Sequence, residues 1–304
     1  MGDVFYWLFN MSILGALTGL AVVLLRLIRR IPRRWIALLW AIPMLRLLLP
    51  VGVGGRYSLM SLLSGFAART VVVYEGELSD LTLMNTIRAA DSYFPITYKS
   101  ELLADLFHYA ALVWAVVAGA LILALAILYA ATLSELKDAE PLHGNVYCSP
   151  KIATPAVYGI FRPRIILPEA CRDSDDLELI VLHERQHIRR LDNLRRVLAF
   201  LTAALHWFNP AVWLYLKLYL TDAELACDEA VLSRLPNGEH KRYAHALLNA
   251  RGGKTVFASA FGGAGVRTRI ERILSYKRMT AASAIAFAAL LAAIAYFLLT
   301  NASA

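Results

Sequence analysis

"LELIVLHERQHIRRLDNLRR", residues 177–196, places two histidines and a glutamate on one stretch of expected helix. Around it lies an unusually apolar chain. Its 304 residues are 59% hydrophobic and 18% charged, with a mean hydropathy of +0.54, too apolar for an ordinary soluble domain of this length. Lipid must therefore be part of its solvent, and the quoted stretch is polar chemistry built into a membrane protein.

On a helix, His183 and His187 stand four residues apart, stack on one face and can reach a single ion. Glu184 can then reach a water on that ion. Zinc sites of this type use two imidazoles and a third ligand, leaving the fourth position to a water whose pKa falls to about 7. A neighbouring carboxylate takes the proton as that water attacks a peptide carbonyl. Taken alone, the five residues from His183 to His187 also fit an ordinary charged helix face, so a third ligand decides between the readings. "TDAELACDEAVL", residues 221–232, supplies candidates in Glu224 and Asp228, again four apart. Glu224 completes a His, His, Glu set for Zn2+, and Asp228 is suited to accept the free N–H of a ligand imidazole. Cys227 is a rival ligand, a quarter-turn off that face.

The apolar segments set the architecture. Val4 to Leu25, Leu106 to Ser134 and Met279 to Thr300 carry no charge, and Trp35 to Val53 carries only Arg46. Each is read as a transmembrane helix, since about 20 apolar residues cross roughly 30 Å of hydrocarbon. Arg46 lies near one end of its segment, where its guanidinium is expected to reach the headgroups. The first segment is not read as a cleaved signal, because Asp3 stands where a basic region belongs and no small-residue cleavage site follows. Lys and Arg in short loops stay cytoplasmic. Arg26, Arg29, Arg30, Arg33 and Arg34 therefore place the first link inside, and "RTRIERILSYKR" places the approach to the last span inside as well.

The expectation is a mainly α integral membrane protein of the bacterial inner membrane, multi-pass, with both termini outside. Residues 1–134 hold three spans (about 4–25, 35–53 and 106–134) and an external loop at 54–105, residues 135–278 form a cytosolic domain, and 279–304 hold the fourth span with a short external tail. The net charge of +8 tracks the membrane boundaries rather than a groove-reading motif, so no direct nucleic-acid partner is expected. Cys148, Cys171 and Cys227 all fall in the cytosolic region, where thiols stay reduced.

Within that domain, "VYCSPKIATPAVYGIFRPRIILPEA", residues 146–170, reads as a small strand or hairpin unit whose edge could accept an extended peptide. One helix is expected from caps at residues 173–175 through Trp207, and a second from about Ala211 to the stop at Pro236. The apolar hairpin they form cannot cross the bilayer if His183 and Glu224 share an ion, so it must lie against the spans or dip into the inner leaflet. His206 and Asn209, at its turn, could bind substrate backbone, or could simply end one helix and start the next. The small-residue stretch from Gly252 to Val266, tethered near the site, is a candidate for self-cleavage.

The order "TPAVYGIFRPRIILPE", "HERQHIRRLDN", "LHWFNPAVW", "DAELACDEAVL" and "AFGGAGVRTRIERIL" resembles the membrane-bound zinc metallopeptidases of the BlaR/MecR type, the antirepressors of bacterial β-lactam sensing. The resemblance implies an α+β gluzincin-like peptidase domain between the third and fourth spans. It also implies His183, His187 and Glu224 on zinc, Glu184 as base, and a cytosolic transcriptional repressor as substrate. Sensing members add an external penicillin-binding domain after the last span, and no such domain precedes Ala304 here. Either the external loop at 54–105 or a separate sensor protein receives the signal, or the domain works without one; a homo-oligomer is a further expected partner state. Two other readings fit the residues: a CAAX-type membrane processing peptidase, and a non-catalytic signalling scaffold.

Overall fold

A computed structural model describes residues 2–28, 30–49, 101–236, 238–250 and 265–302, with the short pieces 54–55, 59, 88–89 and 92–93. Most of the expected external loop, and the expected self-cleavage segment up to residue 264, lie outside the described residues.

Three described helices are long and apolar enough to cross a membrane: α1 (Gly2–Leu27), α4 (Glu101–Glu135) and α10 (Ala281–Leu299). The stretch expected as one further span is instead two short helices, α2 (Arg33–Leu39) and α3 (Ala41–Leu48), joined at Trp40. Pro43 is the cause. It has no N–H for the Leu39 carbonyl and its ring presses on that turn, so the helical ladder is interrupted there.

The two short helices run beside α10. Arg34 Nη2 contacts Met279 Sδ at 2.9 Å at one end, while at the other Arg46 donates to the carbonyls of Leu298 (3.0 Å) and Thr300 (2.7 Å). Arg46 is thus 2% exposed and does not reach outward as its position in the sequence suggests. The last carbonyls of α10 lack intrahelical partners and form its negative end, so they hold the guanidinium inside the bundle. Gly54–Gly55 pairs in parallel with Asn301–Ala302 at this same end. α4 begins beside the start of α1, where Phe107 meets Phe5 and Phe9. Hence α1 and α4 run one way, and α2–α3 and α10 the other.

Between α4 and α10 lies the α+β part. Strands β1 (Glu140–His143), β2 (Val146–Ser149), β3 (Ala156–Tyr158) and β4 (Arg164–Pro168) form a sheet in the order β1-β2-β4-β3. β2 and β4 are parallel, and both outer pairs are antiparallel. Gly159, at φ +88°, turns the chain from β3 into β4, and a Cβ there would lie 2.8 Å from the Arg162 carbonyl oxygen. Ile165 and Leu167 of β4 pack with Ile180 of α5 (Leu177–Arg189), which seats that helix on the sheet.

The single helix expected through Trp207 is broken after α5. Leu191 sits at φ +55°, and α6 (Asp192–Leu205) starts immediately beyond it. α7 (Pro210–Leu232) returns antiparallel to α6, and α8 (His240–Asn249) and α9 (Val266–Leu274) close over α5 and α7. The α6–α7 hairpin does lie against the spans, and it reaches far among them. Trp114 donates to the Leu205 carbonyl at 2.7 Å, and the Asn209 amide donates to Ser12 Oγ, also at 2.7 Å. Thirteen residues of α7, about 20 Å at 1.5 Å per residue, separate this tip from Asp222. Gly19 allows the close fit, since a Cβ there would lie 2.1 Å from the Tyr215 ring.

Asp222 anchors the hairpin. Its carboxylate is 0% exposed and accepts from Arg26 Nε (2.9 and 3.1 Å), Arg33 Nη1 (3.3 Å) and Trp40 Nε1 (3.0 Å). Two turns further on, Glu229 accepts the backbone N–H groups of Arg33 (2.9 Å) and Arg34 (3.1 Å). Replacing Asp222 with alanine strips two guanidinium groups and an indole N–H of their buried acceptor. The expected cost is about 3–5 kcal/mol, read as a lower unfolding temperature of the purified protein. A change below about 1 kcal/mol, the range of exposed pairs, would mean that the contact is incidental.

Candidate active site

α5 presents His183, Glu184 and His187 on its buried side, and α7 brings Glu224 and Asp228 opposite them. The two imidazole Nε2 atoms lie 3.3 Å apart. Glu224 faces both, its Oε2 4.0 Å from His183 Nε2 and its Oε1 3.8 Å from His187 Nε2. Two ligands held at about 2.0–2.1 Å in a tetrahedron stand about 3.3–3.4 Å apart. The histidine pair therefore has the separation that a zinc site needs, with a carboxylate next to it.

Hydrogen bonds turn both rings the same way. His187 Nδ1 bonds Asp192 Oδ2 at 2.8 Å. His183 Nδ1 bonds the Tyr243 hydroxyl at 2.8 Å, and that hydroxyl donates to Asp228 Oδ1 at 2.7 Å. Tyr243 has one proton, so with it on Asp228 the imidazole Nδ1–H is the donor to the phenol oxygen. A neutral ring bonded in this way presents its lone pair at Nε2, the atom facing Glu224. The left-handed turn at Leu191 swings Asp192 back beneath His187, five residues after it. Such a conformation costs a branched side chain about 1–3 kcal/mol and persists where other contacts over-determine it.

Charge is concentrated here among buried side chains. Arg269 of α9 grips Asp228 with two hydrogen bonds (2.7 and 2.8 Å), lies 3.5 Å from Glu224 Oε2, and places Nη2 3.3 Å from His183 Nε2. Arg196 of α6 bonds Glu224 Oε1. Burial alone would push the Glu224 carboxyl up, but His187 and the two arginines hold it well below the usual carboxylate range. Burial pushes Glu184 up. Glu184 is 6% exposed and makes no hydrogen bond or ion pair with any described residue. A buried carboxyl without partners costs stability, and groups of this kind concentrate at functional sites.

His183, Glu184, His187, Glu224 and Asp228 are thus brought together. Asp228 acts on His183 mainly through Tyr243, its own oxygen standing 3.5 Å from Nδ1. Cys227 is also near: its sulfur, with one nitrogen from each histidine, forms a cluster of atoms within 4.8 Å of one another. That sulfur lies 3.7 Å from His183 Nδ1, the nitrogen bonded to Tyr243, and burial raises its pKa while His187 lowers it. Glu224 stands on the Nε2 side of both rings.

His206 and Asn209 are not at this cluster. His206 is 0% exposed and bonds the Leu47 carbonyl at 2.9 Å, and Asn209 caps α7 by accepting from Ala211 N at 2.9 Å. Their visible work is to close the hairpin, the second of the two roles open from sequence. Asp192, Arg196, Tyr243 and Arg269 were missed. Asp192 carried a weak signal as an acid five residues after a candidate ligand histidine, whereas Tyr243 and Arg269 arrive from α8 and α9, far along the chain. On the sheet, the carbonyls of Val157 and Gly159 at the β3 edge both accept from the Asn193 amide (2.9 and 3.0 Å), so an incoming strand would have to displace it.

Known proteins resemble this chain in sequence. The chain is 32% identical over 159 residues to the regulatory protein BlaR1 of Bacillus licheniformis, a match covering 48% of this chain and 26% of that protein. It is 33% identical over 110 residues to the methicillin resistance mecR1 proteins of Staphylococcus aureus and Staphylococcus epidermidis, over 35% of this chain and 19% of each. The matched part is therefore about a quarter or less of the length of these relatives. The profile of the BlaR1 peptidase M56 family matches residues 6–274, and the chain belongs to that family.

Proposed function

We propose that the protein is a membrane-embedded zinc endopeptidase that cuts a cytosolic or membrane-proximal regulatory protein, repressor-like in kind, as a step of signal transduction. The observation that carries this reading is the pair of Nε2 atoms 3.3 Å apart with Glu224 facing them. The family and the name of one relative, the regulatory protein BlaR1, support the choice of substrate class.

His183, His187 and Glu224 would hold Zn2+, which supplies a water of lowered pKa and a Lewis acid for the scissile carbonyl. Glu184, buried and unpartnered, takes the proton from the attacking water and passes it to the leaving amine. Asp192 and the Tyr243–Asp228 pair keep both imidazoles in the Nε2-ligating tautomer. Arg269, now 3.3 Å from His183 Nε2, would yield that nitrogen to an ion and keep its two hydrogen bonds to Asp228. In this reading α1, α2–α3, α4 and α10 make four passes, with the gluzincin-like domain inside and both termini outside. The agreement between helix directions and arginine placement supports that orientation. The site then lies at the inner face of the bilayer, since Asp222, two residues before Glu224, binds Arg26 in the last turn of α1.

Three outcomes test the proposal. Glu184→Gln is expected to keep one zinc per chain by metal analysis and to lose peptide hydrolysis by about 10²–10⁴-fold; retained cleavage would remove the mechanism. Asp192→Ala, which frees the His187 ring, is expected to weaken zinc binding by about 10–100-fold in a chelator competition, and unchanged affinity would exclude its orienting role. A cysteine introduced at Ala302 should react with an impermeant maleimide on intact cells, and one at Lys151 only after permeabilisation. The opposite pattern would invert the topology.

A further inference from the structure

A cavity of about 160 Å³ opens where the α1–α2 link, α7 and the α9–α10 link meet. Four cationic side chains line it, Arg30, Arg34, Arg272 and Lys277, against one carboxylate, Glu229. That carboxylate is already engaged by the backbone N–H groups of Arg33 and Arg34 at 2.9 and 3.1 Å. Arg34 leans on Met279 Sδ. The side chains of Arg30, Arg272 and Lys277 make no hydrogen bond or ion pair with any described residue. Cations gathered around a concave space repel one another, and such a cleft focuses potential and draws a counter-ion.

The position of the cavity narrows the choice of anion. It lies at the last turn of α1, the start of α2 and the approach to α10, all at the same end of the membrane helices. Its chain neighbours Leu27, Ile28 and Leu274 are 68%, 49% and 58% exposed, an apolar lip beside a basic hollow. The hollow has room for a phosphate with part of its glycerol ester. Guanidinium forks match phosphate oxygens, and basic pockets between spans on the cytoplasmic side take anionic head groups.

The geometry points to this cavity as a binding site for a phosphate-bearing anion, the head group of an inner-leaflet anionic phospholipid such as phosphatidylglycerol. The assignment rests on the orientation proposed above, and it is independent of catalysis. The occupant would lie close to the zinc site: Arg272 is one turn from Arg269 on α9, and Glu229 directly follows Asp228.

Native mass spectrometry of the full chain in detergent, with phosphatidylglycerol or phosphatidylcholine added, reads the site directly. Wild-type protein is expected to retain phosphatidylglycerol preferentially. Arg272→Gln should weaken that binding about fivefold, and Arg30→Gln with Arg272→Gln about 25-fold, at about fivefold per basic group near the surface. Zinc content checks that each variant is folded. Arg267→Gln removes an equally basic but exposed group, paired with Glu271, and should leave lipid binding unchanged. Equal retention of the two lipids, or equal loss in the Arg267 variant, would overturn the proposal. Binding of sn-glycerol 3-phosphate without any preference for phosphatidylglycerol would keep the anion site and overturn the lipid as its source. Because lipid retention is read without regard to sidedness, a failed topology assignment would appear in maleimide labelling and not here.

Discussion

The structure depends on the buried carboxylate of Asp222 and on the helix that carries it. α7 is a helix with two polar faces. At 100° per residue, Asp222 and Glu229 lie within about 20° of each other, and Glu224 and Asp228 lie on the far side. One face clamps α1 and α2 through Arg26, Arg33, Trp40 and the backbone of Arg33 and Arg34. The opposite face completes the histidine cluster of α5. A shift of the membrane helices therefore moves the third ligand candidate, because both are fixed to one rigid element.

The same economy governs the imidazoles. Two hydrogen bonds, one to Asp192 and one to Tyr243, decide which nitrogen of each ring carries a lone pair. The left-handed residue at Leu191 and the packing of α8 and α9 over α5 supply those partners. Arg269 extends the network to α9, the helix that leads into the last apolar span.

The candidate ligands were legible because helical spacing is local: residues four apart share a face wherever the helix ends up. His183, His187, Glu224 and Asp228 follow from that rule, and the long uncharged segments follow from composition. What escaped was set by tertiary contact. The break at Leu191 is favoured by no Gly or Pro, and it holds because Asp192 reaches His187. Arg46 reads as a residue bound for headgroups until α10 offers it two terminal carbonyls. The interruption at Trp40 was readable from Pro43, a local signal outweighed by the apolar run around it. His206 and Asn209 were ambiguous in sequence, since a turn near a site and a turn inside a bundle use the same residues.

The account stands on the donor set. X-ray absorption at the zinc edge of the purified, zinc-loaded protein reads that set without reference to activity. Two imidazole nitrogens with only light oxygen or nitrogen donors at about 2.0–2.2 Å are predicted, consistent with His183, His187 and Glu224. A sulfur shell near 2.3 Å would contradict the account, for it would make Cys227 the ligand and leave Glu224 without its assigned role.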